Sequence, residues 1–179
     1  KLFMRECDKI IITRPTVSKE EIGFLPGDLR EKMDPWVQPI YQNMYALYDK
    51  EKIEKLISDG AIEIVPVSFM RGRTFLDSVV IVDEAQNVTH EQMQMIVTRI
   101  GLRSKMIVCG DDHQVDLKSK RDSGFRFLYT AARRIKNMVG ISLVTNHRDP
   151  IVEDLINLYD EAEEQGITLN TSGSSGKRK

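Results

Sequence analysis

Five short runs of branched apolar residues recur along the chain, and the stretches between them read as helices or turns. That alternation limits the fold more than any other feature. The runs are Ile10-Ile11-Ile12, Ile62-Glu63-Ile64-Val65, Val79-Val80-Ile81-Val82, Met106-Ile107-Val108-Cys109 and Ile141-Ser142-Leu143-Val144. Each is nearly continuous in apolar residues and too short for a helix, as strands covered on both faces are. Residues 50–58 carry Ile53, Leu56 and Ile57 at helical spacing and stop near Gly60. Thr89 reads as an N-cap, with Gln92 as its capping-box partner. Residues 125–135 and 151–162 read as two more helices. Strand, helix and strand repeated in this way predict an α/β fold, a parallel β-sheet with helices on both faces. Residues 18–48 hold Gly23, Pro26, Gly27, Pro35 and Pro39, which predicts loops and short helices. Residues 1–7 read as the last turns of a helix feeding the first strand, so the chain opens within a repeating unit. One domain over residues 1–167 is expected, followed by a disordered Gly/Ser-rich, basic tail over 168–179.

Composition narrows the partners. At 41% hydrophobic and 30% charged residues, the chain can bury a core as a soluble domain. With 26 basic and 27 acidic residues it has no overall cationic field, so contact with nucleic acid must come from a local patch. Cys7 and Cys109 suggest no disulfide framework, which predicts a reduced, cytoplasmic setting. No apolar run is long enough to span a bilayer, and no membrane partner is expected.

The strongest chemical signal is Val79 to Val82 followed by Asp83-Glu84-Ala85-Gln86-Asn87. An apolar strand that delivers Asp-Glu at its carboxyl end is the Walker B pattern. Asp83 would be the metal residue, holding Mg²⁺ through water, because Mg²⁺ keeps much of its hydration. Glu84 would orient or deprotonate the water that attacks a γ-phosphate. The plainer alternative is an acidic pair that ends a strand and caps the next helix.

A second strand ends in Gly110-Asp111-Asp112-His113-Gln114-Val115-Asp116. Gln114 is placed to sense a γ-phosphate and couple its loss to movement. The alternatives there are a solvated loop with helix-capping aspartates, or a metal site of Asp111, His113 and Asp116. In Val144-Thr145-Asn146-His147-Arg148-Asp149-Pro150, Arg148 precedes a helix begun at proline. It can reach a neighbouring nucleotide, or form an ordinary surface salt bridge. Arg71 and Arg73 flank Gly72, either to touch phosphate or nucleic acid, or as a solvated turn.

Four segments together resemble the PhoH-like family of P-loop NTPases: Ile12-Thr13-Arg14-Pro15; Gly23-Phe24-Leu25-Pro26-Gly27-Asp28-Leu29; Phe69-Met70-Arg71-Gly72-Arg73-Thr74 with Asp83 to Asn87; and Gly110-Asp111 with Gln114 and Asp116. Their order and spacing agree with that family over about residues 8–160. The resemblance implies ATP and Mg²⁺ as cofactors, ATP hydrolysis, action on RNA or single-stranded DNA, and ring-like homo-oligomers in which one subunit completes another's site. It implies catalytic roles for Glu84, Gln114 and Arg148, and cofactor binding by Asp83, Gly110 and Asp111. Nucleic-acid contacts fall to Thr13, Arg14, Arg71 and Arg73; the family is similar to helicase cores, in which the segment at Thr13-Arg14-Pro15 touches a single strand.

Two departures stand out. The family's Gly-x-x-x-x-Gly-Lys-Ser/Thr loop would lie upstream of Lys1, and the chain by itself is expected to hydrolyse no ATP. The string Gly173-Ser174-Ser175-Gly176-Lys177-Arg178 lacks the spacing, the hydroxyl residue and a preceding strand. Around Arg148 the family has Arg-His-Pro where this chain has Arg148-Asp149-Pro150. Two rival readings follow: a nucleotide-incompetent module for assembly or partner binding, and an RNA-binding domain built on Arg14, Arg71 and Arg73. The second lacks an aromatic platform, since 7% of residues are aromatic and they are scattered.

Overall fold

In the computed structural model, residues 2–15, 29–145, 147 and 149–164 are described. Strand β1 (Lys9–Thr13) lies inside a four-stranded sheet with β2 (Ile62–Ile64), β3 (Ser78–Val82) and β4 (Lys105–Val108). The order is β2-β1-β3-β4 and every pairing is parallel. This is the α/β architecture that the alternating runs predict. Ile11 pairs with Val80, and Ile12 with Ile81. The pleat sends neighbouring side chains to opposite faces. Ile11, Val80 and Val82 therefore join one core cluster with Val67, Met70, Phe75, Met93 and Ile96. Ile12, Ile62 and Val79, also buried, belong to the other face. Both faces of the central strands are thus covered, as their unbroken apolar runs require.

Among the described residues there are five α-helices: α1 (Leu29–Leu47), α2 (Lys50–Ser58), α3 (His90–Val97), α4 (Gly124–Ala131) and α5 (Pro150–Glu164). Asp49 caps α2 by accepting from the Lys52 amide, and Ile53 buries its side chain. Thr89 and Gln92 form the expected capping box on α3, satisfying two otherwise orphaned donors. Helix α4 starts close against α3: a side chain on Gly124 would lie 2.6 Å from the Cβ of Met93.

Three expectations are corrected. Loops and short helices were expected across 18–48, yet α1 runs 19 residues through Pro35 and Pro39. Each proline removes one backbone donor. The strong helix formers of Leu29-Arg30-Glu31-Lys32-Met33 and of the Ala46-Leu47 end carry the helix past both. The helix expected over 125–135 ends at Ala131, because the amides of Arg133 and Arg134 bond three residues back and tighten the chain into a turn. The fifth apolar run forms no strand: residues 141–145 are exposed, with Leu143 and Val144 each 91% accessible. A strand needs a neighbour to accept its ladder, and no described strand pairs with this run.

The chain divides into two compact units, Lys1–Gly140 and Ile141–Lys179. Residues 2–4, read as the end of a helix, form a single 3₁₀ turn. The segment 18–28 and the tail over 168–179 lie outside the described residues. No described helix is long and apolar enough to cross a membrane.

Candidate functional site

From β1 the chain steps sideways to β2, then returns past β1 to reach β3. In parallel sheets a crevice opens at such a reversal, outside the carboxyl ends of the two strands that flank it. Those ends are Thr13-Arg14 after β1 and Asp83-Glu84 after β3. The Asp83 amide donates to the Thr13 carbonyl at 2.8 Å, which locks the two ends in register.

Glu84 turns the chain sharply. Its backbone is left-handed, with φ 51° and ψ 39°. A residue with a side chain adopts this at a cost of about 1–2 kcal/mol, so surrounding contacts must hold it. They do: the Ala85 amide donates to the Cys109 carbonyl at 2.8 Å, and residues 85–87 wind into a 3₁₀ turn. The Glu84 carboxylate is held at both oxygens. Arg14 Nη2 donates to Oε1 at 3.1 Å, and Gln86 Nε2 donates to Oε2 at 2.7 Å. Arg14 and Glu84 are about one-third exposed, so this ion pair orients the carboxylate more than it stabilises the fold.

Gln86 is a site residue that motif reading passed over. It is 1% exposed. Its Oε1 accepts from the Asp111 amide at 3.1 Å, which fixes the amide so that Nε2 faces Glu84. It therefore ties the loop after β3 to the loop after β4. Gly110 makes room for it, since a side chain at Gly110 would come within 3.0 Å of the Gln86 amide nitrogen and Oε1. The only sequence signal was a glutamine two residues beyond the acidic pair, and nothing local marks it as buried. Asn87 adds a second tie: its Oδ1 accepts from the Asp116 amide and its Nδ2 donates to the Asp116 carboxylate.

Gln114 and Asp111 stand together on the exposed loop. Gln114 Nε2 donates to Asp111 Oδ2 at 2.9 Å, and the His113 amide donates to Asp111 Oδ1. The alternative metal site of Asp111, His113 and Asp116 does not form. Among the described residues no group of three or more His, Cys, Asp or Glu is arranged to hold a metal ion. The Asp111 carboxylate is instead taken up by its own loop, and that of Asp116 by Asn87.

Asp83 is half-buried at the strand end. Burial, and then the nearby Asp83 carboxylate, raise the Cys109 thiol above its ordinary range. A single half-buried carboxylate at a strand end suits Mg²⁺, because that ion keeps waters and takes its other ligands from phosphate. Thr13 is fully buried, and its Oγ1 is the buried side-chain atom without a hydrogen-bond partner among the described residues.

The remaining arginines separate. Arg73 is bound to Glu63 on β2 at 2.6 Å and lies over the Phe75 ring. Burial pushes the Glu63 carboxyl upward, but donation from Lys9 and Arg73 outweighs it and holds the group below its ordinary range. Arg71 is exposed beside Gly72, whose φ of 79° makes the turn. Arg148 lies outside the described residues.

Comparison with known proteins gives the family. The family model described as "PhoH-like protein" matches residues 1–160. The chain belongs to the PhoH-like family. It is 42% identical over 167 residues to a PhoH-like protein of Synechocystis sp., a match covering 90% of this chain and 50% of that protein. It is 45% identical over 159 residues to a PhoH-like protein of Bacillus subtilis, covering 86% and 49%. To Protein PhoH of Escherichia coli K12 it is 42% identical over 145 residues, covering 78% and 40%. The chain thus spans about half the length of the curated relatives it matches.

Proposed function

We propose that this PhoH-like chain forms part of an ATPase in which Glu84 is the general base and Asp83 the Mg²⁺ residue. The observation that carries the reading is the Glu84 carboxylate, gripped by Arg14 and Gln86 at the strand reversal. A general base must stand in one orientation within hydrogen-bond reach of the water it deprotonates. Arg14 and Gln86 supply that orientation, and the left-handed backbone of Glu84 turns the chain at that point.

Bound Mg-ATP would supply the electrophilic phosphorus and the charge that the metal neutralises. The chain's own residues divide the rest of the work. Asp83 holds the hydrated ion. Glu84 takes the proton from water. Gln114, on the loop after β4, follows the γ-phosphate. Gly110 and Asp111 set that loop against Gln86. Arg148 would act on a neighbouring subunit's nucleotide in a ring homo-oligomer, where it lowers the barrier more than it tightens binding. The substrate class is RNA or single-stranded DNA, contacted through Arg14 and Arg71, and the setting is the cytoplasm.

Glu84→Gln in the protein at its natural length tests the reading. The amide keeps size and hydrogen bonding but accepts no proton. ATP turnover should fall by about 100-fold or more while nucleotide binding persists. Turnover within a few-fold of the unmodified protein would remove Glu84 from the reaction.

A further inference from the structure

Two of the arginines expected to meet nucleic acid are neutralised within the chain, Arg14 by Glu84 and Arg73 by Glu63. The uncompensated positive charge lies elsewhere. Residues 117–136 hold seven of the 26 basic residues and one of the 27 acidic ones, which leaves 19 basic and 26 acidic residues in the rest of the chain. Lys118, Lys120, Arg121, Arg126, Arg133, Arg134 and Lys136 are all exposed. Among the described residues only Arg126 of this set has a carboxylate near it, Asp112 at 3.6 Å. An ordinary solvated helix face mixes both signs, and this one does not.

The segment has the form of a track. Ser123 caps α4, and the 3₁₀ turn Lys120–Asp122 sets Lys120 and Arg121 before its first residue. Phe125, Leu128 and Ala132 turn inward, half-buried or buried. Within α4, at 100° per residue, Arg126 and Thr130 fall on the opposite side, and the exposed Arg133 and Arg134 follow in the tightened turn that ends the helix. Phe127 flanks that side and is 66% exposed. Its ring lies at a steep angle to that of His90, 5.7 Å between centroids, and His90 also contacts the Arg121 carbonyl at 3.2 Å, so the aromatic ring lies near the backbone of Arg121. Cations spaced along a helix around an open ring match a strand that carries phosphates on one side and unstacked bases on the other.

We infer that the outer face of α4 and its flanks, residues 118–136, is a binding track for single-stranded nucleic acid, with Lys120, Arg121, Arg133 and Arg134 on phosphates and Phe127 under a base. This rests on the nucleic-acid part of the proposed function but moves the main contact away from Arg14. Arg126 contributes less, because Asp112 shares its charge.

The test measures binding of a labelled single-stranded uridine oligomer to the natural-length protein by fluorescence anisotropy across a salt series. Joint substitution Lys120→Gln, Arg121→Gln, Arg133→Gln and Arg134→Gln should weaken binding by roughly 10-fold or more and make the log–log salt slope shallower by about 0.7 for each phosphate left without its cation. ATP turnover without nucleic acid should not change, which reports an intact fold. The two halves of the substitution, tested apart, should each give part of the loss, so the test survives if the joint variant fails to fold. Phe127→Ala should weaken binding of the uridine oligomer but not of an abasic one. Equal affinity and slope for the joint variant and the unmodified protein would overturn the track while leaving nucleic-acid binding in place. Equal competition by polyglutamate would overturn the assignment to nucleic acid. No binding by the unmodified protein would overturn both the track and the broader nucleic-acid reading, while leaving the Glu84 test of ATP hydrolysis untouched.

Discussion

Arg14 follows β1 and Arg73 lies in the connection before β3, each within 3.1 Å of a glutamate, whereas Arg133 and Arg134 stand just past the end of α4 with no carboxylate of the described residues beside them. Both pairs are arginines, and in the sequence the first looked like the better ligands. The difference comes from where strands end. Parallel strands that stop side by side bring their terminal residues together, so a cation after β1 meets an anion after β3. The outward face of a surface helix has no such neighbour. Charge near the sheet ends is therefore spent on orienting other side chains, and charge on the helix stays open to a partner from solution.

If the sheet-end network works as a unit, breaking its buried member should have the largest effect on the fold. Gln86→Ala leaves the Asp111 amide without its acceptor and Glu84 Oε2 without its donor. Chemical denaturation should show a loss of about 1–3 kcal/mol. Gln86→Glu should be no better, since it sets a second carboxylate against Glu84, and recovery in that variant would argue that Gln86 merely fills space.

Arg14→Ala comes next. It frees one oxygen of Glu84 without emptying the core, so kcat for ATP should drop roughly 10-fold, as expected when a reacting group loses its fixed geometry, with KM nearly constant. Lysine at this position should restore part of the rate, because it keeps a donor but loses the planar fork. A change in KM alone would place Arg14 in nucleotide binding.

Glu63 offers a smaller, pH-dependent effect. Its carboxyl is held below the ordinary range in the folded chain, so the ionised form contributes stability at neutral pH. That contribution is present above the unfolded-state pKa and fades as pH falls through the lower folded value. Glu63→Gln should therefore cost under about 1 kcal/mol at pH 7, since the group is partly solvated, and the difference should vanish in acid. A constant difference across the acid range would mean that packing, and not charge, sets the effect.

The smallest change in stability is expected on the helix. Arg133→Gln and Arg134→Gln should leave the stability to unfolding within about 0.5 kcal/mol of the unmodified protein, as exposed substitutions away from buried networks do. A larger loss would reveal a structural role and weaken the contrast with Arg14.

The apolar runs and helix signals of the sequence, by themselves, determined the α/β plan, four of the strands, the Thr89 capping box and the place of Asp83-Glu84 at a strand end. These follow from local chemistry, since a branched apolar run wants burial on both faces and a threonine with a glutamine three residues on can cap a helix wherever it lies. Tertiary structure decided the rest. Only the order β2-β1-β3-β4 brings Arg14 to Glu84, 70 residues apart, and Arg73 to Glu63. Only the packing of two loops buries Gln86 between them. The same dependence explains why Val79 to Val82 became the most buried strand while the equally apolar Ile141 to Val144 became no strand at all: the first has ladders on both sides, and no described strand offers one to the second. Apolar character states what a segment would bury, but whether it does so depends on hydrogen-bonding neighbours that no local pattern supplies.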